Sequence, residues 1–186
     1  TCVTEDAFSG FVKFPEEQGQ VEWALHWPEF GDGFSSSYCN TIPTPQGGTH
    51  ENGLRAALIK GLKTYGELTN NKKAAQLTAD DICGSSCSML SVFIRDPQFQ
   101  GQTKDKLSTS DAHRLTDNAI RDAFDHWLGN HPERANGLLT WALERLEERL
   151  RRKQEREIKR KTAVGKRKLR LPGKLTDCSS ESPEGT

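Results

Sequence analysis

The segment VEWALHW occupies residues 21–27, and the segment MLSVFI occupies residues 89–94. In the first segment, large apolar side chains alternate with smaller or polar ones, which is typical of a strand with one buried face. The second segment is apolar at nearly every position, and it predicts a central strand that is buried on both faces. Residues 8–14 and 34–42 have strand character as well. The three stretches before residue 43 predict an antiparallel meander.

Three helices are predicted around this sheet. Thr49 is expected to cap the first helix, whose apolar residues recur at spacings of three and four. Ser110 is expected to cap the second, and Pro132 suits the first turn of the third. The third helix is predicted over about residues 132–163, and its second half has little apolar support. Strands followed by helices in this way predict an α+β fold.

The formal net charge of zero hides a strong asymmetry along the chain. Residues 144–174 carry fourteen basic and five acidic side chains, a net of +9. Residues 1–143 have a net of −6, and residues 175–186 have a net of −3. The basic segment predicts contact with the phosphates of double-stranded DNA, without readout of base sequence. A solvated helix face is the alternative explanation for such a charge run.

Several classes of protein are excluded by composition. No run of about 18 apolar residues exists, so no membrane span is expected. The five cysteines are scattered, which favours free thiols in a reducing cytoplasm. The histidines form no metal-ligand motif, and His126 and His131 flank a predicted helix end, where capping is the simpler explanation. The chain begins without Met or a signal peptide, so we expect a piece of a longer protein.

The polar loop after the MLSVFI segment contains the most distinctive pair of side chains. Gln102 and Lys104 are two residues apart, so they point to the same side if the loop is extended. An ammonium group and an amide donor together suit a terminal phosphate. A solvated loop without a ligand is the alternative that the residues alone leave open.

Four motifs in this order resemble the ATPase subunit of bacterial type IIA topoisomerases. They are GGTHENGLRAAL at residues 47–58, RDPQFQGQTKDKL at 95–107, the long basic helix, and LPGKLTDCS at 171–179. The segments YCNTIPTPQGGTH, VEWALHWPEFGDGF and RKLRLPGKL are most similar to the family of topoisomerase IV B subunits, and the family of gyrase B subunits is the near alternative. The resemblance covers nearly the whole chain.

The resemblance implies a fold and a domain organisation. Residues 1–168 are expected to form a transducer domain similar to ribosomal protein S5 domain 2, with an antiparallel or mixed sheet backed by helices and a long basic C-terminal helix. Its βαβ crossover is expected to be left-handed, against the usual rule. Residues 169–186 are expected to be a linker and the start of a TOPRIM domain.

The resemblance also implies roles for individual residues. Gln102 and Lys104 match a loop that contacts the γ-phosphate of ATP, and this favours a functional role over a solvated loop. Arg55 matches an arginine that faces the cavity through which DNA passes. The basic helix would face DNA with Arg149, Arg152, Lys153, Arg156, Lys159 and Arg160.

The implied activity is the coupling of ATP hydrolysis to DNA relaxation and decatenation. ATP and Mg²⁺ would be the cofactors of the full-length enzyme, with no tight binding of either expected for this chain alone. Double-stranded DNA and the A subunit of topoisomerase IV would be the partners, in a heterotetramer of two A and two B subunits in the bacterial cytoplasm, at the nucleoid. We expect the isolated chain to be inactive. The alternatives are a fragment of a gyrase B subunit that serves supercoiling, and a non-enzymatic S5-like module that binds nucleic acid.

Overall fold

The computed structural model describes residues 2–4 and 6–167, with side chains described as far as residue 160. It contains seven strands and four α-helices in that part of the chain, together with short 3₁₀ turns at Pro15–Glu17 and Lys72–Gln76. The strands are β1 (Phe8–Lys13), β2 (Gly19–His26), β3 (Phe34–Cys39), β4 (Ile42–Pro43), β5 (Cys87–Ile94), β6 (Phe99–Gln100) and β7 (Lys106–Leu107). The helices are α1 (Thr49–Leu68), α2 (Ala79–Cys83), α3 (Ser110–Asn130) and α4 (Pro132–Arg167). The α+β class is confirmed.

The main sheet has the strand order β1-β2-β5-β3-β4. β1 and β2 are antiparallel and β2 pairs with β5 in the same sense, but β3 runs parallel to β5. The predicted meander is therefore wrong, because β5 separates β2 from β3. The parallel pair is joined by a crossover that contains α1. The short β4 completes one edge of the sheet by pairing with β3.

One asparagine fixes the end of β3 against β5. The Asn40 side-chain amide donates to the Ile94 carbonyl at 2.9 Å, and its oxygen accepts from the Ile94 N–H at 2.9 Å. Asn40 and Thr41 both have positive φ, at 48° and 66°, so the chain turns here instead of continuing as the single strand predicted over residues 34–42. Asn tolerates this left-handed conformation better than most residues. The side chain thus replaces a pair of ladder hydrogen bonds.

β5 lies in the centre of the sheet, as predicted, but only one of its faces is fully buried. Leu90 and Val92 are buried, whereas Met89 is 49% exposed. Burial on both faces is therefore a wrong expectation for this strand, because the buried side chains of the sheet alternate with exposed ones.

The core lies between the sheet and the helices α1 and α3. An aromatic cluster connects the layers: the Phe124 ring centroid lies 5.1 Å from that of Phe8 and 5.9 Å from that of Trp127. Trp27 is fully buried in the same cluster, and its indole N–H donates to the Ile82 carbonyl at 3.1 Å. A buried indole N–H needs such a partner, so this bond also anchors α2 to the sheet.

The expected helix caps are displaced by one residue. Gly48 precedes the first turn of α1, and Thr49 has a buried hydroxyl without a hydrogen-bond partner among the described residues. Thr109, not Ser110, precedes α3, and it makes no side-chain capping bond. Backbone geometry at Gly48 therefore sets the start of α1, and a hydroxyl cap at Thr49 is wrong.

The third predicted helix corresponds to α4, which begins at Pro132 and continues to Arg167, beyond the expected end near residue 163. The chain divides into two compact units, residues 1–146 and residues 147 onward. In the second unit, Arg152 pairs with Glu148 at 2.5 Å, and Arg151 lies 3.9 Å from Glu155.

No helix in the described part of the chain has the length and apolar character to cross a membrane. The predicted linker and TOPRIM start at 169–186 lie outside the described residues.

Candidate functional site

The polar loop that follows β5 folds into a small hairpin, residues 98–108. β6 and β7 pair antiparallel, with Phe99 opposite Leu107 and Gln100 opposite Lys106. Strands of two residues are too short to show a periodic pattern, so the sequence predicts only a loop. The backbone between the strands forms the tip, residues 101–105.

The tip exposes both residues that the sequence selects for phosphate binding. Gln102 and Lys104 are exposed, and the chain turns between them, so the condition of an extended loop is not met. The Thr103 hydroxyl donates to Asp105 Oδ2 at 2.6 Å, which closes the turn. Lys104 Nζ lies 5.8 Å from the centroid of the Phe99 ring, within reach of a weak cation–π attraction. An ammonium and an amide at an exposed tip can donate hydrogen bonds to an anionic oxygen.

Lys104 adopts a conformation that is unusual for its residue type. Its φ is 58°, in the left-handed region, which costs a non-glycine residue about 1–2 kcal/mol. Such a conformation persists where neighbouring bonds determine it, and it is found more often at functional sites. Here the following residue is held, because the Asp105 carbonyl accepts from the Gln46 N–H at 3.0 Å.

The base of the hairpin is attached on both sides. Leu107 is buried, and its N–H donates to the Gly47 carbonyl at 3.1 Å. On the other side, the Gln98 N–H donates to Thr109 Oγ1 at 2.8 Å, and Thr109 precedes α3. The exposed tip thus stands on a base that is held by the starts of α1 and α3. Pattern reasoning missed Leu107 and Gly47 as partners, because no local signal connects segments so distant in sequence.

Arg55 lies on α1 and is committed to an ion pair. Its guanidinium binds the Asp80 carboxylate, and 32% of the Arg55 side chain is exposed. It lines a small cavity together with Glu51 and Cys83. Burial raises the pKa of Cys83 to about 12, so this thiol stays protonated and unreactive. Arg55 thus has an acidic partner, and the cavity that it lines includes no residue of the hairpin tip.

The predicted DNA-facing residues of α4 have different surroundings. Arg149 is half-buried, and Arg152 is exposed but paired with Glu148. Residues 144–160 carry eight basic and five acidic side chains, a net of +3, whereas residues 161–174 carry six basic side chains and no acidic one. Two thirds of the +9 therefore belongs to the segment whose side chains are not described. The remaining exposed candidates on α4 are Lys153, Arg156, Lys159 and Arg160.

The histidines and cysteines of the described residues form neither a metal-ligand group nor a disulfide. That part of the chain contains no group of three or more His, Cys, Asp or Glu side chains placed to hold a metal ion. The cysteines at 2, 39, 83 and 87 are free thiols. The backbone N–H of His131 donates to the Trp127 carbonyl, so His131 stands at the C-cap of α3 through a bond that does not use its imidazole.

The family follows from comparison with known proteins. The family model described as DNA gyrase B matches residues 2–158. The chain belongs to the DNA gyrase B family. This member of the family is 59% identical over 183 residues to the B subunit of DNA topoisomerase 4 from Bartonella bacilliformis, a match that covers 98% of the chain and 26% of the relative. It is 50% identical to the B subunit of DNA topoisomerase 4 from Caulobacter vibrioides, over 100% of the chain and 27% of the relative.

Solved structures agree with this assignment. The topoisomerase IV ATP-binding domain of Francisella tularensis, in complex with a small-molecule inhibitor, has a TM-score of 0.68 and 30% identity, over 76% of this chain and 40% of that one. The 43K ATPase domain of Thermus thermophilus gyrase B, in complex with an aminocoumarin, has a TM-score of 0.73. At 24% identity over 84% of this chain and 42% of that one, this second likeness supports the fold alone. This gyrase B family chain spans about a quarter of the length of the curated relatives it matches.

Proposed function

We propose that this chain is the transducer domain of the ATPase subunit of a bacterial type IIA DNA topoisomerase, of the topoisomerase IV type. In this role it couples ATP binding and hydrolysis to DNA strand passage, which relaxes and decatenates DNA. The names of the relatives with 59% and 50% identity support the topoisomerase IV type. Residues 1–168 would form the transducer with its left-handed crossover, and residues 169–186 would lead into a TOPRIM domain.

The observation that carries this proposal is the exposed hairpin tip on its fixed base. The Lys104 ammonium would act as a point charge and the Gln102 amide as a directional donor toward one anionic group. Both fit the terminal phosphate of ATP, and both lie on a tip that a neighbouring domain can reach. What ATP supplies when bound is a terminal phosphate that ADP lacks.

Lys104 would convert this difference into a conformational bias. A ligand shifts a domain equilibrium only as far as it interacts differently with the two states. The ammonium of Lys104 would make its contact in the ATP state and lose it after phosphate release. A hydrogen bond between charged groups contributes about 2–3 kcal/mol, which biases an equilibrium about 30- to 150-fold. This is sufficient to favour one orientation of the transducer.

On the DNA side, we propose that Arg55 and the basic residues of α4 face the duplex. Arg55 would contact phosphate only if it shares or releases its partner Asp80. The cations of α4 would add salt-dependent attraction without base readout. These residues are Arg149, Arg152, Lys153, Arg156, Lys159 and Arg160.

Other components of the proposed enzyme rest on the resemblance. Mg²⁺, the topoisomerase IV A subunit and the heterotetramer of two A and two B subunits are parts of the full-length enzyme, which would act at the nucleoid in the bacterial cytoplasm. The nucleotide-binding and DNA-cleaving residues are expected outside this chain. The isolated chain is therefore expected neither to hydrolyse ATP nor to cleave DNA.

The proposal is tested by one substitution and one matched control in the full-length subunit. Lys104→Ala should lower the ATP hydrolysis rate by about 30-fold or more, because the differential interaction with phosphate is removed. Lys106→Ala removes the same charge from the same hairpin but outside the tip, and it should leave the rate within about twofold. Equal rates for wild type and Lys104→Ala would remove Lys104 from this role.

A gyrase-type function is the second candidate, because the matching family model is described as DNA gyrase B. The two are separated by the reactions of the reconstituted enzyme on relaxed circles and on interlinked circles of DNA. ATP-dependent negative supercoiling of the relaxed circles indicates gyrase, and decatenation of the interlinked circles without supercoiling of the relaxed ones indicates topoisomerase IV. A non-enzymatic nucleic-acid module would bind DNA with steep salt dependence but would be insensitive to changes at Gln102 and Lys104.

A further inference from the structure

The diglycine Gly47–Gly48 joins the base of the hairpin to the first turn of α1. Gly48 forms a parallel β-bridge with Leu107, and the Leu107 N–H donates to the Gly47 carbonyl at 3.1 Å. One residue earlier, the Gln46 N–H donates to the Asp105 carbonyl at 3.0 Å. Three consecutive residues, Gln46 to Gly48, are therefore bonded to the segment that follows the tip.

Gly48 is in a position that only glycine fits. Its φ is 147°, and a Cβ placed there would lie 2.6 Å from the backbone nitrogen of Leu107 and closer still to its carbonyl oxygen. Because both are backbone atoms, a larger residue must push β7 and the start of α1 apart. A Cβ on Gly47 would instead meet the carboxylate of Glu51, the end of a flexible side chain.

Gly48 also begins α1. Its carbonyl accepts from the Asn52 N–H at 3.0 Å, so the residue that contacts β7 is the residue that starts the helix. Arg55 lies seven residues further on the same helix, about two turns away. The path from the hairpin to this helix runs through backbone hydrogen bonds, without a flexible side chain between them.

A second attachment restricts how the hairpin can move. The Ser108 N–H and hydroxyl both donate to the Gln98 carbonyl, at 2.8 and 3.0 Å, which keeps the hairpin closed at its base. α1 packs closely on α3, since a Cβ on Gly53 would lie 2.6 Å from the His113 carbonyl oxygen. The hairpin base and the two helix starts therefore form one tightly connected region.

We propose that Gly47–Gly48 is the positioning element that makes the hairpin and α1 move together. This inference rests on the proposed function of Lys104. Gly48 does not contact the nucleotide. It holds β7 in place, and this positions the Lys104 ammonium for contact with the terminal phosphate. When Lys104 gains or loses that contact, the backbone bonds at Gly47 and Gln46 transmit the displacement to the start of α1.

The test is nucleotide selectivity in the full-length subunit, measured by calorimetry. The measured quantity is the Kd for ADP divided by the Kd for the non-hydrolysable β,γ-imido analogue of ATP. Gly48→Ala should lower this ratio by about tenfold or more while the ADP affinity is retained, because only the terminal phosphate loses its partner. A wild-type ratio in a Gly48→Ala subunit that still binds ADP with wild-type affinity would overturn the inference.

Gly31→Ala is the matched control. Gly31 also has a positive φ, 103°, but a Cβ there would meet nothing within 4 Å. This substitution introduces comparable backbone strain without a collision, so the ratio should stay at the wild-type value. If Gly31→Ala lowers the ratio as much as Gly48→Ala does, backbone strain alone explains the effect, and the inference is overturned.

A double-mutant cycle identifies the residue through which Gly48 acts. Added to Lys104→Ala, the Gly48→Ala change should lower the ratio no further, since the phosphate already has no partner on the hairpin. If the double variant lowers the ratio by the product of the two single effects, the inference is overturned. If Lys104→Ala alone leaves the ratio unchanged, the proposed function is itself overturned, and the inference with it. If Lys104→Ala lowers the ratio and Gly48→Ala does not, only the inference fails.

A milder variant keeps the test decisive if Gly48→Ala prevents folding, which loss of ADP binding would reveal. Leu107→Val trims the buried side chain at the same bridge while keeping it apolar. Leu107→Val should lower the ratio about threefold, because the smaller side chain packs the base of the hairpin less tightly. An unchanged ratio for a folded Leu107→Val subunit would contradict the role of this junction.

Discussion

His50 makes the stability of this domain depend on pH in a way that one substitution removes. Its imidazole is fully buried at the start of α1, and Nε2 lies 3.3 Å from Thr44 Oγ1. Nδ1 has no hydrogen-bond partner among the described residues. Burial lowers the pKa of His50 from 6.5 to about 4, because the charged form is poorly solvated in the core.

The sign follows from the two protonation states. The folded-state pKa of His50 is lower than the unfolded value, so between about pH 4 and 6.5 the unfolded chain binds a proton that the folded chain does not. The stabilisation is therefore complete above pH 6.5 and is lost as the pH falls toward about 4. The gap between the two pKa values corresponds to about 3 kcal/mol of unfolding free energy.

The assay is urea denaturation of this chain at about pH 7.5 and pH 4.5. His50→Gln keeps a hydrogen-bonding side chain but cannot be protonated, so its loss of unfolding free energy between these pH values should be about 2–3 kcal/mol smaller than in wild type. His126→Gln, at an exposed position, should keep the wild-type loss because His50 is intact. Equal losses in wild type and His50→Gln would refute the reasoning.

Three further predictions concern the core, a half-buried ion pair and the basic helix. Phe124→Ala removes a fully buried ring and should lower the free energy of unfolding, measured in urea, by about 3–5 kcal/mol. Phe30→Ala removes an 83% exposed ring and should change this free energy by less than about 0.5 kcal/mol. Similar losses for the two variants would contradict the assigned core. Lys60→Met should lower the unfolding free energy by about 1–3 kcal/mol, because Lys60 Nζ lies 2.6 Å from Asp117 Oδ2 and the Asp117 side chain is 9% exposed. Adding Asp117→Asn should recover part of this loss, and no recovery would argue against an unpaired carboxylate as its cause. Replacing Lys153, Arg156 and Arg160 by Gln should weaken duplex DNA binding equally on two unrelated sequences. Titrations at several salt concentrations should show that the slope of log K against log salt becomes smaller by about 0.9 for each phosphate that is no longer neutralised. A salt slope equal to that of wild type would exclude these side chains from DNA contact.

The sheet shows how far periodic patterns reach. The alternation at residues 21–27 predicts β2 correctly, because a period of two is a local property of the chain. The position of β5 between β2 and β3 was missed, because the Asn40 side chain that fixes this pairing bonds to Ile94, far along the sequence. The apolar run at 89–94 correctly predicts a central strand but wrongly predicts burial on both faces, since Met89 is half-exposed.

The candidate site shows the same limit. Gln102 and Lys104 could be selected from side-chain chemistry and from the resemblance of the surrounding motif. The hairpin that presents them could not, because its strands contain two residues each and its base is held by Gly47 and Leu107. The left-handed backbone of Lys104 also has no local signal, since Lys seldom adopts it without support from its surroundings.

The proposed function depends most on contact between the Lys104 ammonium and the terminal phosphate of ATP. The most direct test is a structure of the full-length subunit with a non-hydrolysable ATP analogue bound, in which the distance from Lys104 Nζ to the nearest γ-phosphate oxygen is measured. We predict a charge-assisted hydrogen bond of about 2.7–2.9 Å. A distance beyond about 6 Å, with the hairpin tip in solvent or with Lys106 at the phosphate instead, would contradict it.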